Sequence, residues 1–303
     1  MTNKKAAWEY GLSTHKGAVK QINEDNALLK IASDSNGCEA SLVIVADGMG
    51  GYQAGDVASQ LVIDQLNDWW ERRIRTMLKL RRPFKSIAKE IESLLHETNH
   101  KLIGIGNKEG SKLGTTVSVL FLYQNRYLIC HIGDSRIYRF DEDLPRVCSD
   151  NNSTYPLESD TVPLGETSEL VQLTEDHSWV EQQVKLGLLT KEQAASHPRR
   201  NVLLQCLGIE NEVEPFIKEG SYKANDLFLL CSDGFYTLFS NEAIVTLLTH
   251  SEQKYNDLQQ VSDHLVDLSN REGATDNVTV LLIRPLESNV KKGWKSMWRN
   301  LFP

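Results

Sequence analysis

No stretch of this 303-residue chain reaches the about 18 consecutive apolar residues that a bilayer-crossing helix needs. The start, Met1-Thr2-Asn3-Lys4-Lys5, is polar and lacks the apolar core of a signal peptide. The five cysteines, Cys38, Cys130, Cys148, Cys206 and Cys231, are odd in number and include no CxxC pair. That speaks against zinc held by thiolates and suits a reducing, cytoplasmic setting. Positive charge is also short: 33 Lys and Arg against 41 Asp and Glu leave a net charge of −8, which argues against nucleic acid as the main partner. What remains, 40% hydrophobic and 24% charged, is the composition of an ordinary globular chain.

The carboxylates that close two apolar runs are more informative. Asp47 follows Ala40–Ala46 and opens Asp47-Gly48-Met49-Gly50-Gly51; Asp233 follows Leu227–Ser232 and opens Asp233-Gly234. Runs of leucine and β-branched residues read as buried strands, and an ionised carboxylate at such a strand end is costly unless a cation or a set of donors offsets it. Asn23-Glu24-Asp25 near the start, Asp134 after Arg126–Ile132, and Asp276-Asn277 before the last apolar run add further acids. Antiparallel pairing sets the start of one strand beside the end of its neighbour, so Asp276 can meet Asp47 and Asp233, and Asp134 can join them. Several carboxylates with no clustered histidines select hard cations such as Mg²⁺ or Mn²⁺.

Strand-like runs are expected at Trp8–Ser13, Asn26–Ala32, Ala40–Ala46, Thr115–Tyr123, Arg126–Ile132, Arg136–Phe140, Val213–Lys218, Asp226–Ser232 and Asn277–Arg284. Helical patterns cover Ala54–Trp70, Lys85–Ile103, Ser178–Leu186, Asn241–Thr249 and Asp257–Asn270. Strands in clusters separated by helix pairs favour an α+β fold with antiparallel sheets over a doubly wound parallel sheet. Tyr123-Gln124-Asn125-Arg126 reads as a tight hairpin turn.

The ordered set Asn23-Glu24-Asp25, Asp47-Gly48-Met49-Gly50-Gly51, Gly114-Thr115-Thr116, Gly133-Asp134-Ser135-Arg136, Leu173–Ser178, His197-Pro198, Ser232-Asp233-Gly234 and Asp276-Asn277 resembles the metal-dependent serine/threonine phosphatases of the type 2C or PPM family. The resemblance runs from about Trp8 to Arg284. It implies a four-layer αββα sandwich with metals in a cleft at one end. It implies that Asp47 bridges two Mg²⁺ or Mn²⁺ ions, that Asp233 and Asp276 complete one of them, and that the Gly48 carbonyl serves the other. Glu24 and Asp25 would bind directly or through water, Asp134 with Asp233 would hold a third ion, and Thr174–Gly208 would form a flap beside the cleft. His177 and His197 are expected to pack or cap within that flap.

By the same resemblance a metal-activated water attacks phosphorus in line, with Asp25 and Asp47 at the reacting centre and no phosphoenzyme. Two positions depart from the family pattern. Lys20 stands where an arginine usually grips the substrate phosphate, which keeps the charge but loses the two-pronged fork. Met49 stands where eukaryotic members carry histidine, as is usual in bacterial ones. The function expected is a cytoplasmic, monomeric phosphatase of phosphoserine and phosphothreonine in proteins, opposing a bacterial serine/threonine kinase. The rivals are a catalytically silent phosphoprotein-binding scaffold and a hydrolase of small phosphorylated metabolites.

Three segments fall outside this core. Arg72–Lys89 holds eight cations and no acid, which reads as a solvated helix and loop or a docking site for an acidic or phosphorylated partner. Asp141–Leu170, with Pro145, Pro156 and Pro163, reads as a long surface loop inserted in a phosphatase domain spanning 1–286. The tail from 287 to 303 spaces Trp294 and Trp298 among Lys291, Lys292, Lys295 and Arg299, a pattern suited to an anionic membrane surface or a partner groove.

Overall fold

The computed structural model describes residues 7–50, 54–141 and 170–286. In chain order its strands are β1 (Trp8–His15), β2 (Asp25–Ser33), β3 (Glu39–Gly50), β4 (Leu113–Thr115), β5 (Val117–Tyr123), β6 (Arg126–Ile132), β7 (Arg136–Phe140), β8 (Leu170–Gln172), β9 (Phe216–Ser221), β10 (Leu227–Cys231) and β11 (Val278–Pro285). The helices are α1 (Ala54–Leu80), α2 (Phe84–Glu109), α3 (Trp179–Lys185), α4 (Lys191–Ala195), α5 (Asp233–Tyr236), α6 (Asn241–Lys254) and α7 (Leu258–Arg271). One sheet runs β1-β11-β10-β7-β8 and the other β2-β3-β5-β6-β9, with β4 attached to β3; every pairing is antiparallel.

Three apolar layers cement four structural ones. Along β3, Leu42, Ile44 and Ala46 face α1 and α2, while Val43 and Val45 face the opposite sheet. Along β10, Leu227, Leu229 and Cys231 face α6 and α7, while Phe228 and Leu230 meet Val43, Val45, Leu281 and Ile283 between the sheets. A strand covered on both faces carries no polar alternation, which is why these runs are continuously apolar. The αββα sandwich expected from the sequence is the fold observed.

Some boundaries move. β3 does not stop before Asp47 but continues to Gly50, because Gly48, Met49 and Gly50 pair with Thr115, Gly114 and Leu113 of β4. The expected strand Thr115–Tyr123 is broken at Thr116 into β4 and β5. Asp47 therefore lies within a strand and not at its end. The seventh expected strand, Val213–Lys218, shifts to Phe216–Ser221, and α1 extends ten residues past Trp70. β8, α4 and α5 were not expected; each is five residues or shorter, too short for a periodic signal. The expected 141–170 loop, apart from its end residues, and the tail lie outside the described residues.

Candidate metal centre

Asp25 opens β2 and is the register partner of Asp47 in β3, so one sheet sets two carboxylates side by side. The other sheet contributes its hydroxyls. Ser232 Oγ, just past β10, and Thr279 Oγ1, in β11, each donate to Asp25 Oδ2 at 2.7 Å. The partner oxygen, Asp25 Oδ1, is buried and accepts no hydrogen bond. A buried carboxylate oxygen with no donor is costly and calls for a cation.

The remaining acids close around this pair. Asp233 is the first residue of α5, Asp276 precedes β11 by two residues, and Asp134 sits in the β6–β7 turn. Burial, then Asp25, Asp233, Asp134 and Asp276, push the Asp47 carboxyl well above its ordinary range. Burial raises Asp25 to about 7 despite its two hydroxyl donors, Asp134 to about 8 and Asp233 to about 6, with neighbouring acids adding to each. The structure thus brings Asp25, Asp47, Asp134, Asp233 and Asp276 within electrostatic reach of one another. They do not yet form a closed shell: among the described residues no three Asp, Glu, His or Cys side chains stand as a ready metal site. The donor set fits a hard cation all the same, being oxygen throughout with one buried oxygen unsatisfied.

Glu24 stands at the rim. Its carboxyl is raised by burial, opposed by Lys20 and by a hydrogen bond from the Gly55 backbone. Gly48 and Gly55 touch backbone to backbone, since a Cβ on Gly48 would fall 2.2 Å from the Gly55 carbonyl oxygen. That contact presses the start of α1 against the acid cluster, and Ser59 Oγ, one turn on, donates to the Glu24 carbonyl at 2.6 Å.

Lys20 is found on the acids themselves, its Nζ 2.9 Å from Asp276 Oδ1 and 3.8 Å from Glu24 Oε2. Burial works against its charge, but the hydrogen bond and charge of Asp276 hold the ammonium above its ordinary value. Asp134 forms no salt bridge with Arg136, two residues on, among the described residues. Arg136 turns instead to Asp176 of the flap, with contacts at 2.7 and 3.1 Å, and stacks 3.7 Å over the Tyr236 ring.

Sequence reasoning gave Asn277, Ser232, Thr279 and the Arg136–Asp176 pair no role of their own. Asn277 is buried and ties the β1–β2 loop: it accepts from Glu24 N–H at 2.9 Å and donates to the Lys16 and Ile22 carbonyls at 3.0 and 2.9 Å. Its place in the Asp276-Asn277 pair was the one available signal.

A groove of about 650 Å³ lies between the flap and α5–α6, lined by Val180, Val184 and Ala194 on one wall and Tyr236, Leu238 and Phe239 on the other. Asp134 and Asp233 stand at its edge, so it opens onto the acid cluster. His177 and His197 pack and cap as expected: His177 Nδ1 accepts from Gly133 N–H at 3.4 Å, and His197 Nδ1 accepts from Arg199 N–H at 3.1 Å beside the Trp179 ring.

His131, fully buried beside His177, holds the turn that carries Asp134. Its Nε2 faces the Gly133 carbonyl at 3.0 Å, which can only accept, and Nδ1 faces Ser118 Oγ at 2.9 Å. Burial pushes its pKa down to about 3. An unfolded histidine titrates near 6.5, so below that pH the unfolded chain binds a proton that the native one refuses. Stability from this group is complete above about 6.5 and is lost as pH falls toward 3. The advantage of wild type over His131→Gln is expected to shrink by about 2–3 kcal/mol between pH 7 and 4.5, at about 1.4 kcal/mol per unit. Urea unfolding of both proteins at several pH values reads this directly, and a pH-independent gap would remove His131 from the account.

The sequence profile described as Protein phosphatase 2C matches residues 14–269. "Serine/threonine phosphatase stp" of Listeria innocua is 31% identical over 276 residues, which is 89% of this chain and 93% of that protein. The structure of the Streptococcus agalactiae serine/threonine phosphatase superposes with a TM-score of 0.72 at 29% identity, covering 92% of this chain and 99% of that one. The catalytic domain of serine/threonine protein phosphatase PstP, in complex with two manganese ions, superposes with a TM-score of 0.69 at 27% identity, covering 92% and 99%.

Proposed function

The chain belongs to the protein phosphatase 2C family, and from that premise we propose how its own residues remove phosphate from phosphoserine and phosphothreonine in proteins. The observation that carries the site assignment is the buried, donorless Asp25 Oδ1 beside Asp47. Asp25, Asp47, Asp233 and Asp276 would hold two Mg²⁺ or Mn²⁺ ions, with Glu24 and the Gly48 carbonyl at the rim and Asp134 with Asp233 offering a third position. When bound, the ions would acidify a water and screen the charge that builds on the phosphoryl oxygens.

Each chain residue has a defined part in that reading. Ser232 and Thr279 fix the Asp25 carboxylate through Oδ2 and leave Oδ1 free for a ligand. Lys20 can exchange Asp276 for a substrate phosphate oxygen, because its ammonium is the cation standing among these acids and is partly exposed. The groove along the flap gives the residues beside the phosphorylated one a bed of mixed polar and apolar side chains that includes Asp134 and Asp233. Hydrolysis forms a water-oxygen bond to phosphorus, breaks the bond to the serine or threonine oxygen, and returns a proton to that oxygen. The intact acid set supports hydrolysis over silent binding, and the open groove supports a protein substrate over a small metabolite.

A monomer acting in the cytoplasm against a serine/threonine kinase completes the proposal. Four buried free cysteines, Cys38, Cys130, Cys206 and Cys231, support a reducing compartment, and no helix among the described residues is long and apolar enough to cross a membrane. The cationic tail would add a contact to an anionic membrane or to a partner.

Steady-state kinetics on a phosphothreonine peptide and a sugar phosphate, with Mn²⁺ and with EDTA, tests the core of this. Turnover of the peptide well above the sugar, silenced by EDTA, is expected. Lys20→Ala should lower kcat/KM for the peptide by on the order of ten- to a hundredfold, the worth of one charge-assisted contact, and Lys20→Arg should keep or raise it. A Lys20→Ala enzyme equal to wild type would leave Lys20 as a partner of Asp276 only.

A further inference from the structure

The cations of Arg72–Lys89 are gathered at the far end of the molecule. α1 begins at Ala54, its Gly55 in contact with Gly48 and Glu24, and runs 27 residues to Leu80. At 1.5 Å per residue its end lies about 40 Å from the acid cluster. There it turns through Arg81-Arg82-Pro83 into α2. Eight of the chain's 33 cations fall in this one hairpin, in a protein of net charge −8.

Part of that charge is spent internally. Glu90 takes Arg73 at 2.8 Å and Arg82 at 3.5 Å, and Asp68 takes Arg72 at 3.8 Å. Arg75 and Lys79 on α1, and Lys85 and Lys89 on α2, are exposed and form no ion pair among the described residues. Each couple is four residues apart and shares a helix face. Leu80, beside them at the turn, is 60% exposed.

Helix-end electrostatics accounts for only one of these four. Lys79 lies in the last turn of α1, where a cation complements the helix dipole. Lys85 lies in the first turn of α2, where positive charge opposes the dipole. That turn holds no acid, and its N-cap, Pro83, offers no side-chain bond. The charge at the start of α2 is therefore unfavourable for the isolated helix.

We propose that the α1–α2 tip is a docking surface for an anionic lipid bilayer. Four exposed, unpaired cations on two consecutive helix ends complement the diffuse negative charge of an anionic bilayer. Leu80 adds an apolar side chain at the depth of the headgroups. The geometry also orients the molecule, because the acid cluster stands about 40 Å from the surface, several Debye lengths away at physiological salt. A soluble phosphoprotein can then reach the cleft while the enzyme stays on the membrane. This contact is separate from the cationic tail and does not depend on the phosphatase reading.

The test is flotation of the full chain with phosphatidylcholine vesicles and with mixed phosphatidylcholine–phosphatidylglycerol vesicles, at low and high salt. Binding is expected to the mixed vesicles only and to weaken with salt. The variant Arg75→Gln/Lys79→Gln/Lys85→Gln/Lys89→Gln is expected to lose on the order of ten- to a thousandfold in partitioning, from the known contribution of each cation near an anionic surface. Its melting temperature and aryl phosphate turnover should match wild type, since all four side chains are exposed and remote from the acids. Lys85→Gln alone should weaken binding by a few-fold and leave α2 at least as stable. Equal partitioning of variant and wild type, or equal binding to neutral vesicles, would overturn the proposal. So would tip-dependent binding to soluble polyglutamate without preference for the anionic vesicles, which would assign the surface to an acidic protein.

Discussion

Asp47→Asn and Asp233→Asn are each expected to cut Mn²⁺-dependent hydrolysis of an aryl phosphate by about a thousandfold or more, equivalent to about 4 kcal/mol of transition-state stabilisation. Their effect on the metal-free fold should be the reverse. Burial and the surrounding acids raise the Asp233 carboxyl to about 6. A carboxyl whose native pKa is raised stabilises the fold at low pH and loses that contribution as pH climbs from about 4 through the raised value. At pH 7.5 in EDTA the wild type therefore carries a charge that the asparagine variant lacks. The variant is expected to be more stable by about 1–3 kcal/mol there, with the gap closing toward pH 4, after allowing for the part of Asp233 that faces water. Thermal melts in EDTA at pH 5 and 7.5, alongside turnover with Mn²⁺, separate the two effects. Full activity in EDTA or in Asp233→Asn would sink the metal reading altogether.

The second large effect is expected at Asn277, which touches no candidate ion and no substrate in this account. Asn277→Ala removes one acceptor for the Glu24 amide and two donors to the Lys16 and Ile22 carbonyls. Leaving buried backbone groups unpaired costs about 1–3 kcal/mol each, so a total loss of about 3–5 kcal/mol is expected after partial relaxation. The loop released is the one that carries Lys20 and Glu24. Activity at low Mn²⁺ should fall more than activity at saturating Mn²⁺, because ligand placement suffers before chemistry does. Chemical unfolding and a Mn²⁺ titration of turnover check both halves, and unchanged stability would show that the loop is held some other way.

Much of this was legible in the chain. β3, β5, β6, β10 and β11 are apolar on both faces because helices cover one side and a second sheet the other, and their continuous runs announced them. The Tyr123–Arg126 turn was readable because its two central residues must take left-handed backbone angles, observed at φ 51° for Gln124 and 62° for Asn125. The acids were legible for an energetic reason, since a carboxylate beside a buried strand demands an explanation.

Other features had no sequence signature of their own. The extension of β3 past Asp47 to Gly50 depends on β4, a segment of three residues whose pairing with β3 is set across the sheet. Arg136 is two residues from Asp134 in sequence, yet it pairs with Asp176, forty residues on, because the flap offers a planar carboxylate and Tyr236 an aromatic face. Ser232 and Thr279 meet Asp25 from 207 and 254 residues away. By itself the sequence determined the fold class, the family and the carboxylates, because burial and charge are written locally. Which oxygen of Asp25 is satisfied and which is left for a cation was decided by the tertiary structure, because that depends on how Ser232 and Thr279 of one sheet stack against Asp25 of the other.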